Sequence, residues 1–125
     1  RIRVCFDAPT AHIGNYYFAA DAFLLCSRVE SYPRVILEAL AFGLPIISTP
    51  VFGVVEQIPD VADAFFYAPG DVVQLSERML EVVNDPMVRQ RLSDSSKARF
   101  AEMPSFDQML QSYESILRNA GKYVA

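Results

Sequence analysis

Short apolar runs alternate along the chain with segments in which apolar residues recur every three or four positions. The apolar runs have the length and composition of buried strands, and they cover residues 1–6, 22–26, 44–48 and 64–67. The periodic segments between them predict helices over residues 13–20 and 33–42 and a single helical turn over residues 54–58. Strands that alternate with helices indicate an α/β fold, a Rossmann-like parallel sheet with helices on both faces.

Extra C-terminal helices follow the last predicted strand. Their starts are marked by capping residues, which are Asp71 with Gln74, Asp85 with Pro86, and Ser105 with Gln108. The first and last of these helices have inner apolar stripes, formed by Val72, Leu75, Met79 and Val82 and by Met109, Leu110, Tyr113, Ile116 and Leu117. The middle helix is polar, which favours a solvated face for Arg89, Arg91, Lys97 and Arg99. We expect the last two helices to pack across one end or edge of the sheet or to reach toward a further domain, and Gly121 to end the last one.

Composition and charge fit one packed domain over residues 1–125. The apolar fraction of 52% and the charged fraction of 21% argue against disorder. The net charge of −4 provides no basic field for nucleic acid or for an anionic membrane. Cys5 and Cys26 lie in apolar runs without metal-ligand spacing, so we expect buried free thiols of a cytoplasmic protein. No apolar stretch is long enough for a transmembrane segment.

Ligands of open α/β sheets bind at the carboxyl ends of the strands, which here are residues 26–33 and 48–53. The helix that follows the first segment is apolar around almost its whole circumference, which is typical of a buried helix. Only Arg34 and Glu38 interrupt it, four residues apart on one stripe. Either this stripe meets solvent and the two residues form a weak surface pair, or Glu38 faces a ligand and accepts hydrogen bonds from its hydroxyls.

The start of the same helix has the features of an anion site. Ser31 is placed to cap the helix and Pro33 suits its first turn, so the free amides and the helix dipole favour a phosphate. Glu30 would be repelled by that phosphate unless its carboxylate binds neutral hydroxyls beyond it. The segment therefore fits hydroxyls, then phosphate, then more hydroxyls, and a nucleotide-sugar is such a ligand.

Residues 20–47 also carry a family resemblance. Glu30 and Glu38 are separated by seven residues, and an alanine, a Gly-x-Pro segment and an apolar strand follow over residues 39–47. In this order the features resemble the signature of the group 1 glycosyltransferases of the retaining family 4 type. The similarity continues to nearly the end of the chain, at Gly53, Glu56, residues 67–71 and Phe106.

This resemblance implies the C-terminal, donor-binding part of a GT-B enzyme that transfers a hexosyl group from a UDP- or GDP-sugar with retention. It implies that the donor sugar is bound by Glu30, Ser31 and Tyr32. It implies that the diphosphate is bound by Pro33, Arg34 and Val35, and the nucleotide ribose by Glu38. It implies no metal or other cofactor, and it assigns no catalytic residue to this chain.

The chain departs from the family pattern at three positions. The family often has Gly where this chain has Ser31 and Pro33, and Pro33 has no N–H to donate. Phe52 replaces one of two frequent glycines. The family's basic residues that clamp the diphosphate, and its acceptor-binding N-terminal domain, precede the part that this chain resembles. We therefore expect an inactive fragment whose exposed truncation surface is one route to a homodimer, and a full-length parent that is either free in the cytoplasm or peripheral at the inner membrane face.

Two other interpretations remain open from the sequence. A flavodoxin-like, non-catalytic interaction module is the alternative; a receiver of that kind needs an acidic cluster at its first strand end, where only Asp7 is found. A degenerate domain without a ligand would leave the stripe around Glu38 solvated. His12, the one histidine of the sequence, is expected at a surface or loop position.

Overall fold

The computed structural model describes residues 3–60 and 62–120. Its elements follow the order α1 (Ile13–Ala19), β1 (Phe23–Leu25), α2 (Arg34–Ala41), β2 (Ile46–Ser48), α3 (Gly53–Gln57), β3 (Phe65–Phe66), α4 (Val72–Asn84), α5 (Pro86–Ala101) and α6 (Phe106–Ala120). The predicted alternation of strands and helices is confirmed from α1 onward. Each strand is shorter than its apolar run, because the residues at the ends of each run have no partner in the ladder.

The three strands form one parallel sheet in the order β1-β2-β3. Phe23 lies opposite Ile46 and Leu25 opposite Ser48, while Ser48 is also paired with Phe66. Because both pairings are parallel, the carboxyl ends of all three strands meet at one edge. The segments after β1 and β2 are thereby brought side by side at the edge where ligands of such sheets bind.

Two hydrophobic cores lie on opposite faces of this sheet. Ile46 packs with residues of α1, α2 and α3, including Tyr17 and Leu40, whereas Ile47 packs with Tyr67 and residues of α4 and α5. Successive side chains of a strand point to opposite faces, so neighbouring residues of β2 serve different cores. The predicted Rossmann-like sheet with helices on both faces is confirmed.

Glycine ends α2 as the sequence predicted. Gly43 has a φ of +64°, and its N–H donates to the Leu40 carbonyl at 2.9 Å, while the next residue, Leu44, donates to the Ala39 carbonyl at 3.0 Å. This left-handed turn directs the chain into β2. A side chain at Gly43 would also collide with Lys97 of α5.

The predicted capping residues begin all three C-terminal helices. Asp71 accepts from the Gln74 amide at 2.9 Å, and Asp85 accepts from the amides of the first turn of α5. Ser105 and Gln108 form both bonds of the capping box, at 3.2 and 2.8 Å.

The basic face of α5 is only partly the solvated surface that was predicted, because Arg91 and Lys97 are exposed whereas Arg89 and Arg99 are half-buried. Arg89 donates to the carbonyls of Val82 and Val83 at 2.8 and 2.7 Å, and Arg99 donates to that of Gln57 at 2.6 Å. A guanidinium offers five donors on a long stem, so it can reach the carbonyls at which α3 and α4 end. Arg89 and Arg99 therefore join helices, which their charge alone did not indicate.

The apolar stripes of α4 and α6 are covered less than predicted. Of the α4 stripe, Val82 is buried and Leu75 half-buried, whereas Val72 and Met79 are exposed. In α6 no residue is buried, and the whole predicted stripe is exposed. Of the two alternatives expected for this helix, packing across the sheet is not found among the described residues, whereas a reach toward a further domain stays a prediction. Gly121 lies outside the described residues.

The predicted first strand and buried cysteines are not found. The described part of that run, residues 3–6, forms no strand, because no neighbouring strand pairs with it, and Phe6 is 95% exposed. Cys5 lies in this same segment and is exposed for that reason. Cys26 follows β1 at the open carboxyl edge of the sheet and is exposed as well, so neither thiol is a core residue.

Candidate functional site

A chain of hydrogen bonds organises the carboxyl edge between β1 and β2. The buried Thr49 hydroxyl donates to the Ser27 carbonyl at 2.6 Å, and the Thr49 amide donates to the Leu25 carbonyl at 3.3 Å. The hydroxyl of Ser27 in turn donates to Oε1 of Glu30 at 2.6 Å. A carboxylate that accepts such a bond is held in one orientation, so Glu30 is a fixed acceptor at the strand end.

Gly53 brings the loop after β2 into backbone contact with the loop after β1. A Cβ at Gly53 would overlap the carbonyl oxygen of Ser31 and crowd the Cα of Tyr32. Only glycine permits this approach. Glycine is therefore required at position 53 by the contact with the neighbouring loop and not by a positive φ of its own. Ser31 and Tyr32 are exposed at this point of contact.

Phe52 has the one positive φ among the non-glycine residues of the described chain, with φ 38° and ψ −119°. This region of backbone space favours glycine, and a bulky residue there is strained. The side chain is 67% exposed and gains little burial in return. The loop thus keeps a glycine-type conformation at the position where the sequence departs from a pair of glycines.

The helix α2 begins with amides that its own carbonyls do not satisfy. Pro33 is the capping residue and its side chain makes no capping bond, while the Ile36 amide donates to the Pro33 carbonyl at 3.2 Å. The amides of Arg34 and Val35 precede that bond and have no acceptor within the helix. Ser31 does not cap α2, contrary to prediction, because the buried Pro33 occupies the capping position.

Glu38 lies one turn into α2 and accepts a hydrogen bond from α1. The Tyr17 hydroxyl donates to Oε2 of Glu38 at 2.9 Å, and Nη2 of Arg34 is 4.0 Å from Oε1. The Arg34 side chain is 89% exposed and that of Glu38 36%, so the ion pair contributes little and the tyrosine contact decides the orientation. The buried ring of Tyr17 stacks on Phe42, with the ring centroids 5.5 Å apart.

The environment of two tyrosines changes their acidity. Burial raises the pKa of Tyr17 to about 12, and the hydrogen bond to Glu38 and its negative charge act in the same direction. Burial also raises the pKa of Tyr67, helped by the neighbouring thiol of Cys26. Both hydroxyls therefore stay protonated to a higher pH than that of an ordinary tyrosine and act as donors, that of Tyr67 to the Leu25 carbonyl at 3.4 Å.

Two cavities lie at opposite ends of the sheet. A cavity of about 200 Å³ opens at the carboxyl edge, between Cys26, Arg28 and Tyr67 and the start of α4. A larger groove of about 480 Å³ lies at the amino end, lined by Pro45 and by Lys97 of α5 among others. Ligands of parallel sheets bind at the carboxyl edge, where the smaller cavity shares Cys26 and Arg28 with the loop of residues 26–33. The larger groove is lined by Tyr17, the hydrogen-bond partner of Glu38.

The structure places the predicted site residues on two connected pieces, the loop of residues 26–33 and the first turns of α2. Sequence reasoning missed four residues that hold these pieces in place, which are Tyr17, Thr49, Gln57 and Arg99. Among these four, only Thr49 could have been found from the sequence, since it directly follows a buried strand.

Within residues 3–60 and 62–120, no three His, Cys, Asp or Glu side chains are grouped to hold a metal ion. Over the same residues, no helix is long and apolar enough to cross a bilayer.

The family model described as "Glycosyl transferases group 1" matches residues 1–99 of the chain. N-acetyl-alpha-D-glucosaminyl L-malate synthase of Bacillus anthracis is 25% identical over 114 residues, which cover 91% of this chain and 30% of that protein. An alpha-1,4-N-acetyl-D-galactosaminyltransferase of Campylobacter jejuni is 30% identical over 99 residues, 78% of this chain and 28% of that one. The chain thus spans about a third of the length of the curated relatives that it matches.

The fold is similar to that of a solved structure. Sucrose-phosphate synthase from Thermosynechococcus elongatus superposes with a TM-score of 0.74 at 23% identity, over 86% of this chain and 28% of that one. At this identity the similarity concerns the fold, and it supports the Rossmann-like arrangement of a GT-B domain.

Proposed function

Because the chain belongs to the glycosyl transferases group 1 family, we propose that it binds the nucleotide-sugar donor of a hexosyl transfer reaction. The fixed position of Glu38 carries this proposal. Its carboxylate is half-buried, keeps Oε2 on the Tyr17 hydroxyl, and leaves Oε1 with only the distant and exposed Arg34. An oriented carboxylate oxygen is a good acceptor for the paired hydroxyls of a ribose.

The start of α2 is the proposed diphosphate position. The amides of Arg34 and Val35 precede the first bond of the helix, and the positive end of the helix dipole lies with them. Pro33 contributes its rigid backbone, since it has no N–H, and the exposed guanidinium of Arg34 adds a positive charge. These groups together favour an anion ahead of the helix.

The loop after β1 is the proposed position of the transferred sugar. Glu30 is held by Ser27, while Ser31 and Tyr32 are exposed beside it, and both lie on the Gly53 backbone. Polar groups fixed by a rigid scaffold are suited to neutral hydroxyls, for which orientation decides the binding energy. We propose UDP- or GDP-sugars as donors and transfer with retention, on the similarity to the retaining type of this family.

Binding without turnover is the proposed behaviour of this chain by itself. It spans about a third of the length of its relatives. Asp71, which lines the small cavity together with Cys26 and Arg28, is already engaged as the cap of α4. Incubation with labelled UDP- and GDP-hexoses should give no transfer to water or to added sugars. The match to the glycosyl transferases group 1 family disfavours the alternative interpretation, the flavodoxin-like interaction module.

Calorimetric titration of the chain with UDP and with GDP tests the proposal. We expect one of them to bind, and Glu38→Gln to weaken that binding about tenfold, because the neutral amide still accepts from Tyr17 but binds ribose hydroxyls less strongly. Glu77→Gln, on the exposed face of α4, removes the same charge far from the loop and should bind as the wild type does. If neither nucleotide binds, or if Glu38→Gln binds as tightly as Glu77→Gln, the proposal is wrong.

A further inference from the structure

Gln57 is a fully buried side chain that bonds to the turn before α2. It lies in the last turn of α3 with no exposed surface, and its Nε2 donates to the carbonyl of Pro33 at 3.1 Å. Because a carbonyl can only accept, this bond fixes which end of the amide is the nitrogen. The other end, Oε1, is buried and has no hydrogen-bond partner within residues 3–60 and 62–120.

A buried amide oxygen without a partner reduces the stability of the fold, and an apolar side chain of the same length would avoid that loss. Gln57 is therefore a poor choice for core packing alone. What it provides in return is a fixed direction for the Pro33 carbonyl, which also accepts from Ile36. The bond joins residues 24 positions apart in the chain, so it connects the end of α3 to the turn before α2.

The Pro33 carbonyl and the Arg34 amide belong to the same peptide group. That group is planar and trans, so a carbonyl held on one side directs the N–H to the opposite side. The Arg34 amide is one of the two donors at the start of α2 that have no acceptor in the helix. Gln57 thus helps, together with the Ile36 amide, to fix where this donor points, and it does so through its bond to the Pro33 carbonyl.

The backbone of Gln57 is itself held by a hydrogen bond from α5. Its own carbonyl accepts from Nε of Arg99 at 2.6 Å, and Nη2 of Arg99 lies 3.5 Å from the carbonyl of Glu56. At the other end of α3, Gly53 lies on the Ser31 backbone. The short helix α3 is therefore fixed by α5 at its end and by the first loop at its start.

We propose that Gln57 is a positioning residue that directs the Arg34 amide at the diphosphate of the bound nucleotide-sugar. The inference rests on the proposed function, because it assigns Gln57 a part in diphosphate binding. Gln57 should affect binding of the phosphate groups of the ligand. The affinity of the chain for the nucleoside alone should not depend on Gln57.

Gln57→Met tests this inference, because methionine has a similar length and no group that bonds to Pro33. Affinity is measured for the diphosphate that the chain binds, UDP or GDP, and for the corresponding nucleoside by ligand-observed NMR. We expect the affinity for the diphosphate to fall about tenfold, the value of one hydrogen bond to a charged group, and that for the nucleoside to stay within twofold. The shift of the Arg34 amide on adding the diphosphate should shrink in parallel.

Ser96→Ala is the matched control, since the Ser96 hydroxyl is equally buried and donates to the Leu44 carbonyl at 2.7 Å, at the amino end of the sheet. It should change neither affinity. Arg99→Met is a second variant, and it leaves the buried Gln57 side chain intact. We expect it to lower the affinity for the diphosphate by less than Gln57→Met does and to leave the affinity for the nucleoside unchanged. If the wild type binds a diphosphate and both Gln57→Met and Arg99→Met bind it equally well, this inference alone is wrong. If the wild type binds neither nucleotide, the proposed function fails together with it.

Discussion

The hydroxyl of Tyr17 donates a 2.9 Å hydrogen bond to Oε2 of Glu38, which joins α1 to α2. We expect Tyr17→Phe to lower the free energy of unfolding by about 1 kcal/mol, the usual loss for one such bond. Tyr16→Phe is the matched control, because the Tyr16 ring is 48% exposed on the same helix, and it should change stability little. Urea denaturation of the three proteins at pH 8 measures both values. Equal stabilities for the two variants would contradict the role of the Tyr17 hydroxyl.

The same pair predicts a pH dependence at high pH. The pKa of Tyr17 is raised from 10.0 to about 12 by burial and then by Glu38, so the unfolded chain loses this proton before the folded one does. The stability that Tyr17 contributes is complete below pH 10 and declines as the pH rises toward 12. The difference in unfolding free energy between wild type and Tyr17→Phe should therefore shrink above pH 10. A difference that stays constant up to pH 11.5 would contradict this prediction.

Two glycines at the starts of helices should respond in opposite ways to the same change. Gly53→Ala forces a Cβ into the Ser31 carbonyl, so we expect it to lower stability by about 2 kcal/mol or more and to weaken nucleotide binding. Gly14→Ala meets only the Phe42 ring at 3.7 Å, an ordinary contact, and should raise stability by roughly 0.5–1 kcal/mol through helix propensity. Thermal unfolding of both variants shows whether each substitution raises or lowers the stability of the chain. A tolerated Gly53→Ala would mean that the two loops are not in backbone contact.

Phe52→Gly should make the chain more stable. The positive φ of Phe52 costs the folded state about 1–3 kcal/mol, and glycine removes this cost. The greater freedom of glycine in the unfolded chain offsets about 0.5–1 kcal/mol of the resulting stabilisation. Because the Phe52 ring is mostly exposed, its removal loses little burial. Phe52→Ala removes the same ring without relieving the backbone, so it should not be stabilising. Denaturation midpoints of the two variants separate these effects.

Thr49→Val tests the link between the two strand ends and the proposed sugar position. The substitution keeps the shape of a buried side chain but loses the 2.6 Å bond to the Ser27 carbonyl, and with it the support of Glu30. We expect the affinity for the nucleotide-sugar to fall several-fold, while the affinity for the free nucleoside diphosphate stays unchanged. Thr49→Ser retains the hydroxyl and should keep both affinities. Equal losses for both ligands would indicate general loosening instead.

The elements and caps of this fold could be predicted from local signals. Asp85 with Pro86 and Ser105 with Gln108 define helix starts through neighbours within a few residues, and Gly43 ends α2 in the same local way. Residues 3–6 show the limit of such signals, since a strand needs a partner that no local pattern provides.

The supports of the candidate site lie beyond local pattern. Glu30 and Glu38 could be singled out from their spacing, yet the groups that hold them come from 21 residues away in the case of Tyr17, and from Thr49 by way of Ser27. Gln57 had no signal at all, because its partner Pro33 is chosen by the approach of two loops in three dimensions. Contacts of this kind depend on strand order and helix placement, which the sequence determines only through the whole fold.

The position of Ile46 and Ile47 on opposite faces of β2 has a consequence for how the domain opens. Because the three-residue strand β2 gives one of its isoleucines to each core, the loss of either apolar layer removes support from a strand on which the other layer also packs. We therefore expect amides of α2 and of α4 to exchange with solvent hydrogen through one common cooperative event rather than through separate local openings. A domain that opens as a single unit keeps both loops at the carboxyl edge in register for as long as it remains folded.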